Sequence, residues 1–135
     1  MTSIFRLTPL ALLLAAPLAA QDAMSPRTFE AFAEGKTLYF TLGGQPYGAE
    51  QYFAGRRSVW RFEDGTCQNG QWWDAGDRIC FRYEEDPLPQ CWRFRQRGGG
   101  FDAALVEDGS ETGFVLELSH MDQEPLPCPG PGVGA

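Results

Sequence analysis

Histidine is nearly missing from this chain of 135 residues, with His120 the only one, and lysine is as scarce, with only Lys36. No Cys-x-x-Cys pair occurs, so the spacing expected of a zinc site is absent. No G-x-S-x-G elbow, phosphate loop, EF-hand loop or dinucleotide fingerprint is present. These gaps argue against metal-dependent, nucleotide-dependent and serine–histidine chemistry. No catalytic residue, cofactor or metal is expected. A lone histidine beside Ser119 and Met121, at a strand end, reads as ordinary surface rather than as a base or a copper ligand. The carboxylates are many but scattered over turns such as Glu84-Glu85-Asp86, and no glycosidase-like pair stands out. Positive charge is also short. Eighteen acidic residues face 11 basic ones, a net charge of −7, which excludes nucleic acid and anionic membrane surfaces as favoured partners.

Long apolar runs are missing too, apart from one at the start. Arg6 is followed by an apolar stretch from Leu7 to Leu18, broken by Thr8, Pro9 and Pro17, and then by Ala19-Ala20 and the polar pair Gln21-Asp22. That order of basic, apolar and small residues is the pattern of a secretory signal, with cleavage expected after Ala20. The apolar core is too short for a membrane span, which takes about 20 residues. No cysteine near the cleavage site supplies a lipid anchor, and no membrane insertion is expected after cleavage. The expected location is periplasmic or secreted.

The part from Gln21 onward is the size of one domain, and removing Arg6 makes it more acidic still. All four cysteines, Cys67, Cys80, Cys91 and Cys128, lie in it. An even number in a small exported domain reads as two disulfides. Three pairings are open. Cys80 and Cys91 stand on consecutive expected strands, both on the arginine-bearing face, and this favours Cys80–Cys91 with Cys67–Cys128. Loop closure assigns these bridges about 3 and about 4 kcal/mol, against a typical net stability of roughly 5–15 kcal/mol.

Ser25-Pro26, the apolar residues Phe29, Phe32 and Ala33, and then Gly35 predict a short helix over 25–34. After Gly35 the apolar period drops to two, the mark of half-buried strands. Eight are expected, over 37–42, 49–53, 57–63, 66–73, 77–84, 90–97, 100–107 and 112–119. Short turns such as Gly43-Gly44, Asp64-Gly65 and Asp108-Gly109 leave no room for crossover helices, so neighbours should pair antiparallel. The expected fold is mainly β: a single domain over 21–123 built as an eight-stranded meander closing into a small barrel, with a two-sheet sandwich as the rival. The Pro/Gly-rich tail 124–135 has no apolar run, and Cys128 is expected to staple it to the body.

Two side-chain groups stand out. If the expected strands 77–84 and 90–97 pair, Arg78, Arg82, Arg93, Arg95 and Arg97 share one face. Arg82, Arg93 and Arg95 are candidate anion binders, with a solvated face neutralised by Glu63, Asp77, Glu84 and Glu85 as the preferred reading. Between Trp60 and Phe94 lie eight aromatic residues, which either line a ligand cavity or, as preferred, fill the core. Trp72 and Trp73 must face opposite ways unless a bulge at Asn69-Gly70 intervenes.

The stretches FAEGKTL (Phe32–Leu38), WRFEDGTCQNGQWW (Trp60–Trp73) and Ile79–Trp92, with its ICF and CW, resemble those of small exported proteins of unknown function from Gram-negative bacteria. The resemblance implies a calycin-like β-barrel in the periplasm and brings no site residues with it. The expected function is a non-enzymatic binding or interaction module for an unknown small ligand or envelope protein. The alternatives are an envelope-accessory protein or enzyme inhibitor acting through the loop Glu84–Gln90, and, less favoured, a small hydrolase.

Overall fold

Ser25 has extended backbone angles, and its Oγ accepts the Thr28 amide hydrogen at 3.1 Å. With Pro26 in the first turn this starts helix α1 (Pro26–Ala33), and Gly35 ends the segment at φ +78°, a conformation that costs glycine little. The computed structural model describes residues 23–129. The expected signal segment 1–20, the end of the tail from 130 onward and the region between residue 20 and Ala23 lie outside these.

Beyond the helix run β1 (Thr37–Leu42), β2 (Gln45–Phe53), β3 (Arg57–Phe62), β4 (Cys67–Asp74), β5 (Ile79–Tyr83), β6 (Gln90–Arg97), β7 (Gly100–Glu107) and β8 (Ser110–Asp122). Each pairs antiparallel with the next, and β8 pairs with β1, so the sheet closes into a barrel. Closure removes the exposed edges that an open eight-stranded sheet would carry, and the sandwich alternative is set aside.

Strand boundaries differ from expectation where backbone pairing, not apolar periodicity, decides them. β2 begins at Gln45 rather than at residue 49, because the Gly43-Gly44 turn pairs Leu42 directly with Gln45. Pro46 is accommodated at a register shift, with Phe40 opposite Gly48 and Thr41 opposite Pro46. β5 is shorter than expected. β8 runs on to Asp122, so His120 lies within a strand and not at its end. The register through Asn69-Gly70 is continuous and contains no bulge. Trp72 accordingly points inward and Trp73 outward, with 5% and 37% exposure.

Alternating connections put the 43–44, 63–66, 84–89 and 108–109 segments at one end of the barrel. The other end is plugged by α1. Phe29, fully buried, stacks on Phe94 at 4.4 Å and meets Tyr52, Trp72 and Phe101 edge-on at 5.3–5.8 Å. Arg56, in the β2–β3 turn, holds the helix from outside: its Nε donates to Glu30 Oε2 at 2.7 Å and its guanidinium lies 4.8 Å over Trp72. A helix of eight residues has little stability alone, so it is this docking that keeps it formed.

Both disulfides pair as expected. Cys80–Cys91 crosses the β5–β6 seam, the shortest ladder, with three paired positions. Cys67–Cys128 holds the tail to β4. The staple is not the tail's only anchor, which corrects the expectation drawn from its lack of an apolar run. Leu126 is buried, its amide donates to Gln51 Oε1 at 2.9 Å, and Thr37 Oγ1 donates to the Glu124 carbonyl at 2.7 Å. No described helix is long and apolar enough to cross a membrane.

Candidate functional site

On β2, Gly48, Glu50 and Tyr52 face the barrel interior, which places a carboxyl group among apolar walls. Glu50 is 4% exposed. Tyr52 Oη donates to its Oε2 and Tyr83 Oη to its Oε1, each at 2.8 Å. Removal from water pushes the Glu50 carboxyl above its ordinary range; the nearby Ser58, Tyr83 and Tyr52 hydroxyls oppose that rise without cancelling it. Ser58 Oγ is itself buried and makes no hydrogen bond of good geometry. Burial, followed by the charge of Glu50, drives both phenols well above their usual value, so they stay protonated donors.

The cluster depends on a close approach at Gly70. A β-carbon there would stand 2.8 Å from both Ser58 Oγ and the Tyr83 ring. Glycine lets β4 pass close enough for Tyr83 to reach across to Glu50.

Between this cluster and the open end lies a cavity of about 750 Å³. Its walls include Tyr47, Trp60, Phe62, Phe81, Trp92 and Phe114, and Leu88 and Pro89 of the 84–89 loop contribute to its lining. The aromatic run therefore both fills and lines: Trp72 packs beneath the helix plug, Phe94 stacks on Phe29 and also reaches the cavity wall, and Trp60 and Trp92 border the cavity. Filling alone, the preferred expectation, is corrected. Ring contacts are closest near α1, where Phe29 enters the barrel at 4.4–5.8 Å from its neighbours. They are wider toward the other end, where Trp60 meets Tyr47 and Phe62, and Trp92 meets Phe114, at 5.9–6.1 Å.

The charged residues lining the cavity are unequal in sign. Glu50, Asp86, Glu107 and Asp108 are acidic, and Arg78 is the one cation among the described residues there. Asp77 Oδ1 accepts from Arg78 Nε at 3.0 Å, so that charge already has a partner.

Of the arginines singled out by the sequence, Arg82, Arg93, Arg95 and Arg97 stand on the outer face, outside the cavity that Glu50 and Arg78 line. Arg93 bridges Asp77 at 2.6 Å and Glu111 at 3.0 Å, and Arg95 also pairs with Glu111. Arg97 pairs with Asp102 at 3.1 Å. Asp77 is among the expected partners. Glu111 and Asp102 are not, and they reach the arginines because β7 lies beside β6 and β8 beside β7 on that face. These ion pairs hold Asp77 and Glu111 below the usual carboxylate range, through hydrogen bonds from Arg93 and Arg78 in one case and chiefly from Arg95 in the other. Arg82 is exposed and has no carboxylate within ion-pair distance among the described residues. His120 is exposed and stacks on Tyr39 at 4.2 Å, and its Nδ1 lies 3.1 Å from Ser119 Oγ. No three His, Cys, Asp or Glu side chains converge as metal ligands would among the described residues.

Glu50 is not visible as a site residue in the sequence. Along Gly48–Phe53 either alternation gives a half-apolar face: Ala49, Gln51 and Phe53, or Gly48, Glu50 and Tyr52. Only closure of the barrel decides which face is inside. Taken together, fold and site define a small closed barrel plugged at one end, with an aromatic cavity and a buried carboxyl. Compared with protein families, with curated proteins and with solved structures, the chain finds no match.

Proposed function

We propose that this protein is a non-enzymatic binding module that holds a small, largely apolar molecule in the barrel cavity. The observation that carries this reading is the cavity itself. Its volume of about 750 Å³ falls within the range of small-molecule sites, and aromatic walls around a few convergent polar groups are the usual composition of such sites. Glu50, Tyr52 and Tyr83 are the convergent polar groups. The two disulfides fit an oxidising environment outside the cytoplasm. Export by residues 1–20, into the periplasm or beyond, belongs to the same proposal.

Titration with prodan, a neutral fluorophore, tests the cavity. Saturable one-to-one quenching of Trp60 and Trp92 with a blue shift of the probe is expected, and Leu105→Trp, which crowds the cavity wall, should abolish it. Unsaturable quenching, or equal binding by the variant, overturns the reading. Native mass spectrometry of protein purified from the periplasm reads retained ligand directly.

One observation favours a second reading. Leu88, 71% exposed, stands on the loop between β5 and β6, where Asp86 accepts from the Leu88 amide and from Gln90 Nε2. A stiff loop with an apolar tip suits docking to an envelope protein, and a partner retained in the same mass spectrum would favour that role.

A further inference from the structure

Among the described residues, no cation is within ion-pair distance of Glu50. Each of its oxygens accepts one tyrosine hydroxyl, and each keeps a further lone pair able to accept from a ligand. A buried carboxylate without a counter-charge is costly, and either a proton or a positively charged partner relieves the cost. We propose that the ligand is a protonated organic amine with an apolar body, its ammonium seated against Glu50. This inference rests on the cavity reading above.

Three further features fit an ammonium better than other head groups. The rings of Tyr47, Trp60 and Trp92 line the same space, and aromatic faces attract cations. Asp86, Glu107 and Asp108 add negative charge to the lining, while the single lining cation among the described residues, Arg78, is engaged by Asp77. A carboxylate ligand would meet this field as a like charge. Burial raises the affinity of Glu50 for a proton; an arriving ammonium would release to solvent whatever proton the carboxyl carries and supply the counter-charge in its place.

Three molecules of equal length separate the inference from the reading beneath it: 4-phenylbutylamine, 4-phenylbutan-1-ol and 4-phenylbutanoate. Calorimetric titration of the purified, disulfide-bonded protein near neutral pH should rank the amine more than about ten-fold tighter than the alcohol, and the carboxylate weakest. Glu50→Gln, checked for folding by near-ultraviolet circular dichroism, should bind amine and alcohol with equal affinity. Wild-type protein that binds the alcohol or the carboxylate as tightly as the amine overturns the amine inference and leaves the cavity reading standing. Amine preference that persists in a folded Glu50→Gln variant overturns the role of Glu50. Failure of all three molecules, together with failure of prodan, overturns both readings.

Discussion

A carboxyl group shut away from water favours its protonated form, and Glu50 is in that position. Because its folded value lies above the unfolded one, its contribution to stability is full below the unfolded value and is lost as pH rises through the folded value. The exposed carboxylates Asp64 and Asp77 and the half-exposed Asp86 are shifted the opposite way by hydrogen bonds, so what they contribute is lost as pH falls. Comparing Glu50→Gln with the wild type cancels these and isolates Glu50. The variant should be the more stable near neutral pH, with an advantage that shrinks toward zero in acid, as measured by urea denaturation across the pH range. Tyrosine hydroxyls donate or accept, so the amide introduced by Glu50→Gln would keep two partners. An advantage that stays constant with pH would mean that Glu50 does not titrate between the two states. A residue that costs stability where an amide would not is what a binding group looks like. The sequence carries no sign of this, because a glutamate in a strand is ordinarily a residue of the wet face.

Helix α1 and the strands depend on each other in a way that the linear pattern anticipates only in part. Ser25, Pro26 and Gly35 mark the helix ends, and Phe29 must find an apolar partner. Which partner cannot be read from the pattern, since Tyr52, Trp72, Phe94 and Phe101 come from four different strands. Phe29→Ala should cost about 3–5 kcal/mol, as for other buried aromatic truncations, measured by chemical denaturation. The near-ultraviolet signal of Trp72 should change with it, while the far-ultraviolet strand signal persists. The strands are legible for a related reason: a two-residue period with short glycine turns permits little but a meander. Their ends are less so. β2 and β8 extend past the apolar pattern because backbone pairing with a neighbour continues through polar residues such as Gln45 and His120.

For the molecule as a whole, closure and covalent stapling do different work. The β1–β8 ladder shuts the barrel, and Cys67–Cys128 ties down a segment that adds one buried side chain, Leu126. Replacing both Cys67 and Cys128 by serine should therefore lower stability by up to about 4 kcal/mol through loop-closure entropy and leave the barrel closed. Denaturation midpoints and hydrogen exchange of the β1 and β8 amides check this, and loss of protection in those strands would show that the staple holds the ladder shut. The cysteine pairing is legible because Cys80 and Cys91 fall on one face of adjacent strands, which leaves a single partner for Cys128.

Local pattern set the strand count, the antiparallel order, the helix and the Cys80–Cys91 bridge, since each depends on residues close in the chain or on a parity that neighbours share; Cys67–Cys128, 61 residues apart, follows by elimination. Closure of the sheet decided which face of β2 points inward, how far the aromatics fill the space, and which carboxylates meet the arginines. Those outcomes depend on distances between strands far apart in the chain, and the distances exist only once β8 has met β1.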